Sequence, residues 1–236
     1  MQAEKQITDF VNSLKQAAGE NLECVALFGS AASGEFHADY SDINMLCVMR
    51  ELSAPVLAKL APAIVGWTKR KFPAPLMFSR AELEQSMDVF AIEMLDIHQR
   101  HRILYGQDIF IGMNVPMDRH RVQLEHELRT KLLTLRQSYV QAAGDDKRVR
   151  RLMLDSISAF STLFRHTIIA MGEQPAPHKA DNIRKLADRT GFDPGIFLKL
   201  LQVRERTANE NEIEAASAFS QYLDGIHRVV QAVDAL

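Results

Sequence analysis

At 236 residues, 47% apolar and 25% charged, the chain is long enough to bury one large core or two smaller ones, with the composition of an ordinary globular protein. A formal net charge of −2 excludes a global attraction to nucleic acid and leaves only local basic patches. No apolar run is long enough to span a bilayer, and the first residues, MQAEKQITDFVNSL, mix charges into their apolar pattern and lack a signal-peptide core; the expectation is a cytoplasmic protein with no membrane partner.

Ile7, Phe10, Val11 and Leu14 recur at helical spacing and Gly19 stands where such a helix would stop, so an amphipathic first helix is expected. Residues 22–28 read as a short strand, almost wholly apolar and so buried on both faces. Residues 41–49 read as a second strand, apolar except at Asp42 and Asn44. The two cysteines, Cys24 and Cys47, fall inside these strands at a spacing that suggests neither zinc nor a redox pair, and are expected to be buried and reduced. Leu57, Leu60, Ile64 and Trp67 mark a helix that Ser53 can cap, with Pro55 in its first turn and Pro62 placed to kink it. Pro73 and Pro75 bracket a third short strand at residues 76–78, and Ser79 with Glu82 has the form of a capping box. Residues 89–97 fit either a strand or the start of a helix, because a short apolar run does not settle its own period. Tyr105-Gly106 followed by Asp108 reads as a turn.

Beyond residue 115 the pattern is helical throughout, which puts a domain boundary there and divides the chain into 1–115 and 116–236. Leu124, Leu128, Leu132, Leu135 and Tyr139 form one stripe; Val149, Leu152, Met153, Ile157, Phe160, Phe164 and Ile168 form the next. Two shorter helices follow, around Ile183 and Leu186 and around Phe197, Leu200 and Leu201, and a last stripe runs from Ile213 to Val233. Long helices with one apolar face and short connections should pack as an up-and-down bundle.

A strand that stops at Gly29-Ser30 and opens a short helix leaves backbone N–H groups pointing at one spot, which suits a phosphate. Side chains two apart on a strand share a face, so Asp42 and Asn44 would look the same way. The order of apolar strand, Leu27-Phe28-Gly29-Ser30, polar spacer and Ser41-Asp42-Ile43-Asn44-Met45 resembles the signature of polymerase-beta-like nucleotidyltransferases, of the aminoglycoside and minimal type, over residues 20–115. The resemblance implies an α+β fold: a small mixed-sheet nucleotidyltransferase domain followed by an all-α up-and-down helical bundle. It implies that Gly29 and Ser30, with Ser41 beside them, contact the phosphates of an NTP, and that Asp42 binds Mg2+. The second metal ligand of the pattern falls on Asn44, and the third strand, Leu76-Met77-Phe78, has no acid.

An Asn can lend its carbonyl oxygen to a metal but no charge, and removing one anion a few ångströms from a divalent ion costs on the order of several kcal/mol. Among Asp88, Glu93 and Asp96, Glu93 is the candidate for a compensating catalytic carboxylate, weighed against an ion pair with Arg100 or Arg102. The expected function is Mg2+-dependent transfer of a nucleoside monophosphate from an NTP to an acceptor hydroxyl, weakened by Asn44. The alternatives are a catalytically degenerate nucleotide-binding or regulatory protein, and an antitoxin-like interaction module. In that last case a protein partner or a second copy would dock on the helical half. Arg121 and His126 fit the Arg-x4-His arrangement of some helical ribonucleases, a spacing chance often produces; Lys147, Arg148, Arg150 and Arg151 read first as a solvated face. His98 and His101 would lie one helical turn apart, with no third ligand for a metal.

Overall fold

A computed structural model gives the structure of the chain and describes residues 2–33 and 43–236. Two compact units divide it, Met1–Pro116 and Met117–Leu236. The first carries α1 (Gln2–Ala18), β1 (Leu22–Phe28), α2 (Ser30–Ser33), β2 (Asn44–Met49), α3 (Ala54–Thr68), β3 (Leu76–Ser79), α4 (Arg80–Gln85), α5 (Ala91–Gln99) and β4 (His101–Gly106). The sheet order is β3-β2-β1-β4; β1 pairs antiparallel with both β2 and β4, and β2 pairs parallel with β3, so the sheet is mixed.

Period-two alternation sorts β2 between the two sides of this sheet. Met45, Cys47 and Met49 join Val25 and Leu27 against α1 and α3, where Ile7, Phe10, Leu14, Leu60 and Trp67 complete a core. Trp67 anchors it: its ring stacks on Phe10 at 4.6 Å and on Phe72 at 4.3 Å between centroids, and its Nε1–H donates to the Pro73 carbonyl at 2.8 Å. Leu46 and Val48 point the other way, with Cys24 and Ala26, against Leu83 of α4, Ala91, Met94 and Ile97 of α5, and Phe110. Both cysteines are free and buried. Burial pushes the Cys24 thiol up to about 11 and Cys47 to about 12, which leaves them inert as nucleophiles. The capping box forms as expected: Ser79 Oγ accepts from the Glu82 N–H and Glu82 accepts from the Ser79 N–H.

Three local expectations change. The run at residues 89–97 is helical, because Ala91, Met94 and Ile97 bury one face at a spacing of three, so the strand alternative for Glu93 falls. Tyr105 and Gly106 are not a turn but the end of β4, a half-buried edge strand whose sequence HRILYG shows no clean alternation. Gly106, at φ +80, lets this edge close on β1: a Cβ there would lie 1.8 Å from the Glu23 carbonyl oxygen. His98 therefore sits on α5 and His101 on β4, so they are not neighbours on one helix.

The second unit holds α6 (His120–Ala142), α7 (Asp146–Ala170), α8 (Lys179–Thr190), α9 (Gly195–Arg204) and α10 (Ala215–Asp234). The stripes read from the sequence are its buried faces: Leu124, Leu128, Leu132 and Leu135 on α6, Val149, Met153, Ile157, Phe160, Phe164 and Ile168 on α7, Phe219, Ile226, Val230 and Val233 on α10. Phe164, Phe192, Phe197 and Tyr222 form an aromatic cluster, and Gly225 makes room for it, since a Cβ there would stand 2.6 Å from the Phe197 ring. Polar pairs are sealed inside. Tyr222 Oη and Ser156 Oγ are 3.0 Å apart, and His120 Nε2 meets His166 Nδ1 at 2.8 Å with both imidazoles buried. Among the described residues no helix is long and apolar enough to cross a membrane.

Candidate functional site

The site grows from the end of β1. Gly29 leaves the strand at φ +70, a left-handed backbone that a side chain strains, and its carbonyl accepts the N–H of Ala32 at 3.1 Å to start α2. Space is a second reason for glycine. A Cβ at position 29 would lie 3.2 Å from Asn44 Nδ2. The antiparallel register that pairs Phe28 with Asn44 brings the two residues together.

Asn44, half-buried, opens β2 on the face of the sheet that Leu46 and Val48 share, the face covered by α5. The other described residues of β2 and β3 on that face are apolar. Phe28 lies across from it on β1, and on β3 Leu76 stands opposite Leu46 and Phe78 opposite Val48. Glu93 is half-buried in the first turn of α5, where a carboxylate is favoured by the helix dipole. Ser41 and Asp42 lie outside the described residues, as does the side chain of Ser30. Of the six residues singled out from the sequence, Gly29 and Asn44 are brought next to each other and Glu93 is set on the helix that covers the face of Asn44.

A divalent cation clamped on a triphosphate needs several oxygen ligands and carboxylate charge. Around Asn44 the donor set does not supply them: position 44 is an amide and β3 offers Leu76, Met77, Phe78 and Ser79. Among the described residues, no three His, Cys, Asp or Glu side chains gather where they could hold a metal. The described part of the site therefore does not fit a protein-held metal.

Two charged clusters flank the sheet without a sequence signature to announce them. On β1, Glu23 pairs with Arg80 at 2.7 Å and lies 3.8 Å from Arg50. At β4, His101 sits between the Ile97 carbonyl at 2.7 Å and Asp108 at 3.0 Å. Desolvation works against the Asp108 carboxylate, but hydrogen bonds from His101 and the Phe110 N–H outweigh it and hold Asp108 below the usual carboxylate range. Arg102 is bound to Glu4 at 2.9 Å. In the second unit, Arg121 contacts Glu125 at 3.5 Å and the Val233 carbonyl at 3.4 Å, while His126 is exposed. Five residues of α-helix turn those two side chains about 140° apart, so they do not converge on one ligand. Arg151 pairs with Asp155 on its own helix, as a solvated face would.

No protein-family model and no curated protein sequence matches this chain. The architecture, a small mixed sheet with helices followed by an all-helical part, is shared with solved structures. One solved structure it resembles is the spectinomycin adenyltransferase AAD(9) from Enterococcus faecialis, determined with ATP and spectinomycin. The two agree with a TM-score of 0.62 over 98% of this chain and 99% of that one, at 16% sequence identity. At that identity the likeness carries the architecture, and the chemistry has to be argued from the residues.

Proposed function

We propose that this protein binds a nucleoside triphosphate at the Gly29 turn and transfers its nucleoside monophosphate to an acceptor hydroxyl. In that reaction the acceptor oxygen bonds to the α-phosphorus as the bond to the β-phosphate breaks, and pyrophosphate leaves. The observation that carries the reading is the turn itself: Gly29 at φ +70, where a Cβ would press on Asn44 at 3.2 Å, in a fold shared with an adenyltransferase solved with ATP. Ser30 and Ser41 complete the phosphate contacts, and Glu93 is the second carboxylate of the site. Asp42 is the carboxylate this reading assigns to magnesium, whose part would be to neutralise the triphosphate. Calorimetric titration and thermal shift with each of the four NTPs test the binding step. Heat and stabilisation with at least one are expected, and no response to any of them sinks the proposal. Transfer is read by incubating the protein with α-phosphate-labelled NTP and candidate hydroxyl acceptors.

A second reading keeps the binding and drops the transfer. It is favoured by the amide at position 44 and by β3, whose Leu76, Met77, Phe78 and Ser79 include no acid. Binding without label transfer to any acceptor identifies the protein as a nucleotide-responsive regulator of the same fold.

A further inference from the structure

Asn44 turns its amide nitrogen, not a carboxylate, toward the glycine turn: Nδ2 lies 3.2 Å from where a Gly29 Cβ would be. A carboxylate at this place could face a phosphate only with a cation between them, since two anions repel. An amide NH2 has two hydrogens to donate and no charge to compensate, so it can meet a phosphate oxygen directly. The surface beside it strengthens such a bond, because Phe28 across the register and Leu46 on the same face of β2 lower the local dielectric and supply no competing acceptor side chain. Within the described residues nothing around Asn44 is suited to hold a metal instead.

We infer that Asn44 is a phosphate-binding residue whose side-chain amide donates directly to the bound nucleotide, so that nucleotide binding does not require a divalent cation. The inference rests on the NTP-binding reading above and adds to it a residue that holds the phosphate without the metal, leaving to Asp42 the magnesium used in transfer. Calorimetry on the full chain with ATP, GTP, CTP and UTP, once in excess EDTA and once in excess Mg2+, tests it. For the nucleotide that binds, the wild-type Kd in EDTA is expected within about threefold of that in Mg2+. Asn44→Asp is expected to lose about tenfold or more in EDTA and to regain part of that with Mg2+. A wild-type protein that binds about tenfold or more weakly in EDTA overturns this inference alone, as does an Asn44→Asp protein that binds in EDTA like wild type. No binding in either buffer overturns the NTP reading together with it. Thermal melts without nucleotide confirm that the variant is folded. Should Asn44→Asp fail to fold, Asn44→Ala in EDTA takes its place, with the same expected loss, and the wild-type comparison decides independently of either variant.

Discussion

In the sheet unit, single positions carry the geometry. Gly29 turns the chain at the end of β1, Gly106 lets β4 close on β1, and Trp67 fills the space between Phe10 and Phe72. In the helical unit the geometry comes from repetition, with apolar stripes three and four residues apart on α6, α7 and α10 and the His120–His166 pair buried among them. The difference teaches where to look for chemistry. A stripe tolerates exchange of one apolar residue for another of similar volume, whereas a left-handed turn against a neighbouring side chain does not. The residues proposed to meet a ligand belong with the turn, where a single position carries the geometry.

The contrast can be broken by experiment, and the largest effect belongs to the sheet core. Trp67→Ala removes two ring stacks and the hydrogen bond to Pro73, and should cost about 3–5 kcal/mol in urea denaturation. Nucleotide binding should weaken only as far as the sheet unfolds; binding lost from a folded variant would place Trp67 in the site itself.

Next comes acid, which should act on the helical unit. Burial, and then the neighbouring His166, depress His120 to about 4 from the ordinary 6.5. The unfolded chain therefore takes up this proton first as pH falls, so the stabilising contribution is complete above 6.5, declines between 6.5 and 4, and levels off below. The loss across that window should be about 2–3 kcal/mol, read by denaturation at a series of pH values. His120→Phe should flatten this slope even if it lowers stability overall. An unchanged slope would mean the proton is taken up elsewhere.

Gly29→Ala separates the two kinds of position most sharply. Its backbone strain should cost only about 1–2 kcal/mol of stability. Nucleotide affinity should nevertheless fall by about tenfold or more, measured calorimetrically, and an alanine variant that binds like wild type would move the phosphate away from this turn. The smallest effect is Ser79→Ala, which breaks the capping box of α4 for about 1 kcal/mol in thermal melts and should leave nucleotide affinity alone.

Much of the architecture could be read before the structure. The helical stripes, the first two strands, the short strand after Pro75 and the capping box at Ser79 all carry local signals, because burial imposes a period and a cap imposes a residue type. The missed strand is β4. Its residues are half-buried at an edge and follow no alternation, and its place is decided by pairing with β1. The helix at Ala91–Gln99 was ambiguous for a related reason, since its nine residues hold too few apolar positions to declare a period without knowing what they cover. The pairs His101–Asp108 and His120–His166 had no signature, being joined by folding and not by spacing.

Within the candidate site, the residue types are legible in the chain alone: a glycine after an apolar strand, an amide where the resembling family carries an acid, and an acid-free third strand. Charge and backbone freedom belong to the residue, so those facts hold wherever the chain places them. Folding alone set Asn44 next to Gly29, put Phe28 across from it, and turned the nitrogen of its amide toward the turn. Strand register sets such contacts, and a slip of one residue would have turned Asn44 to the opposite face.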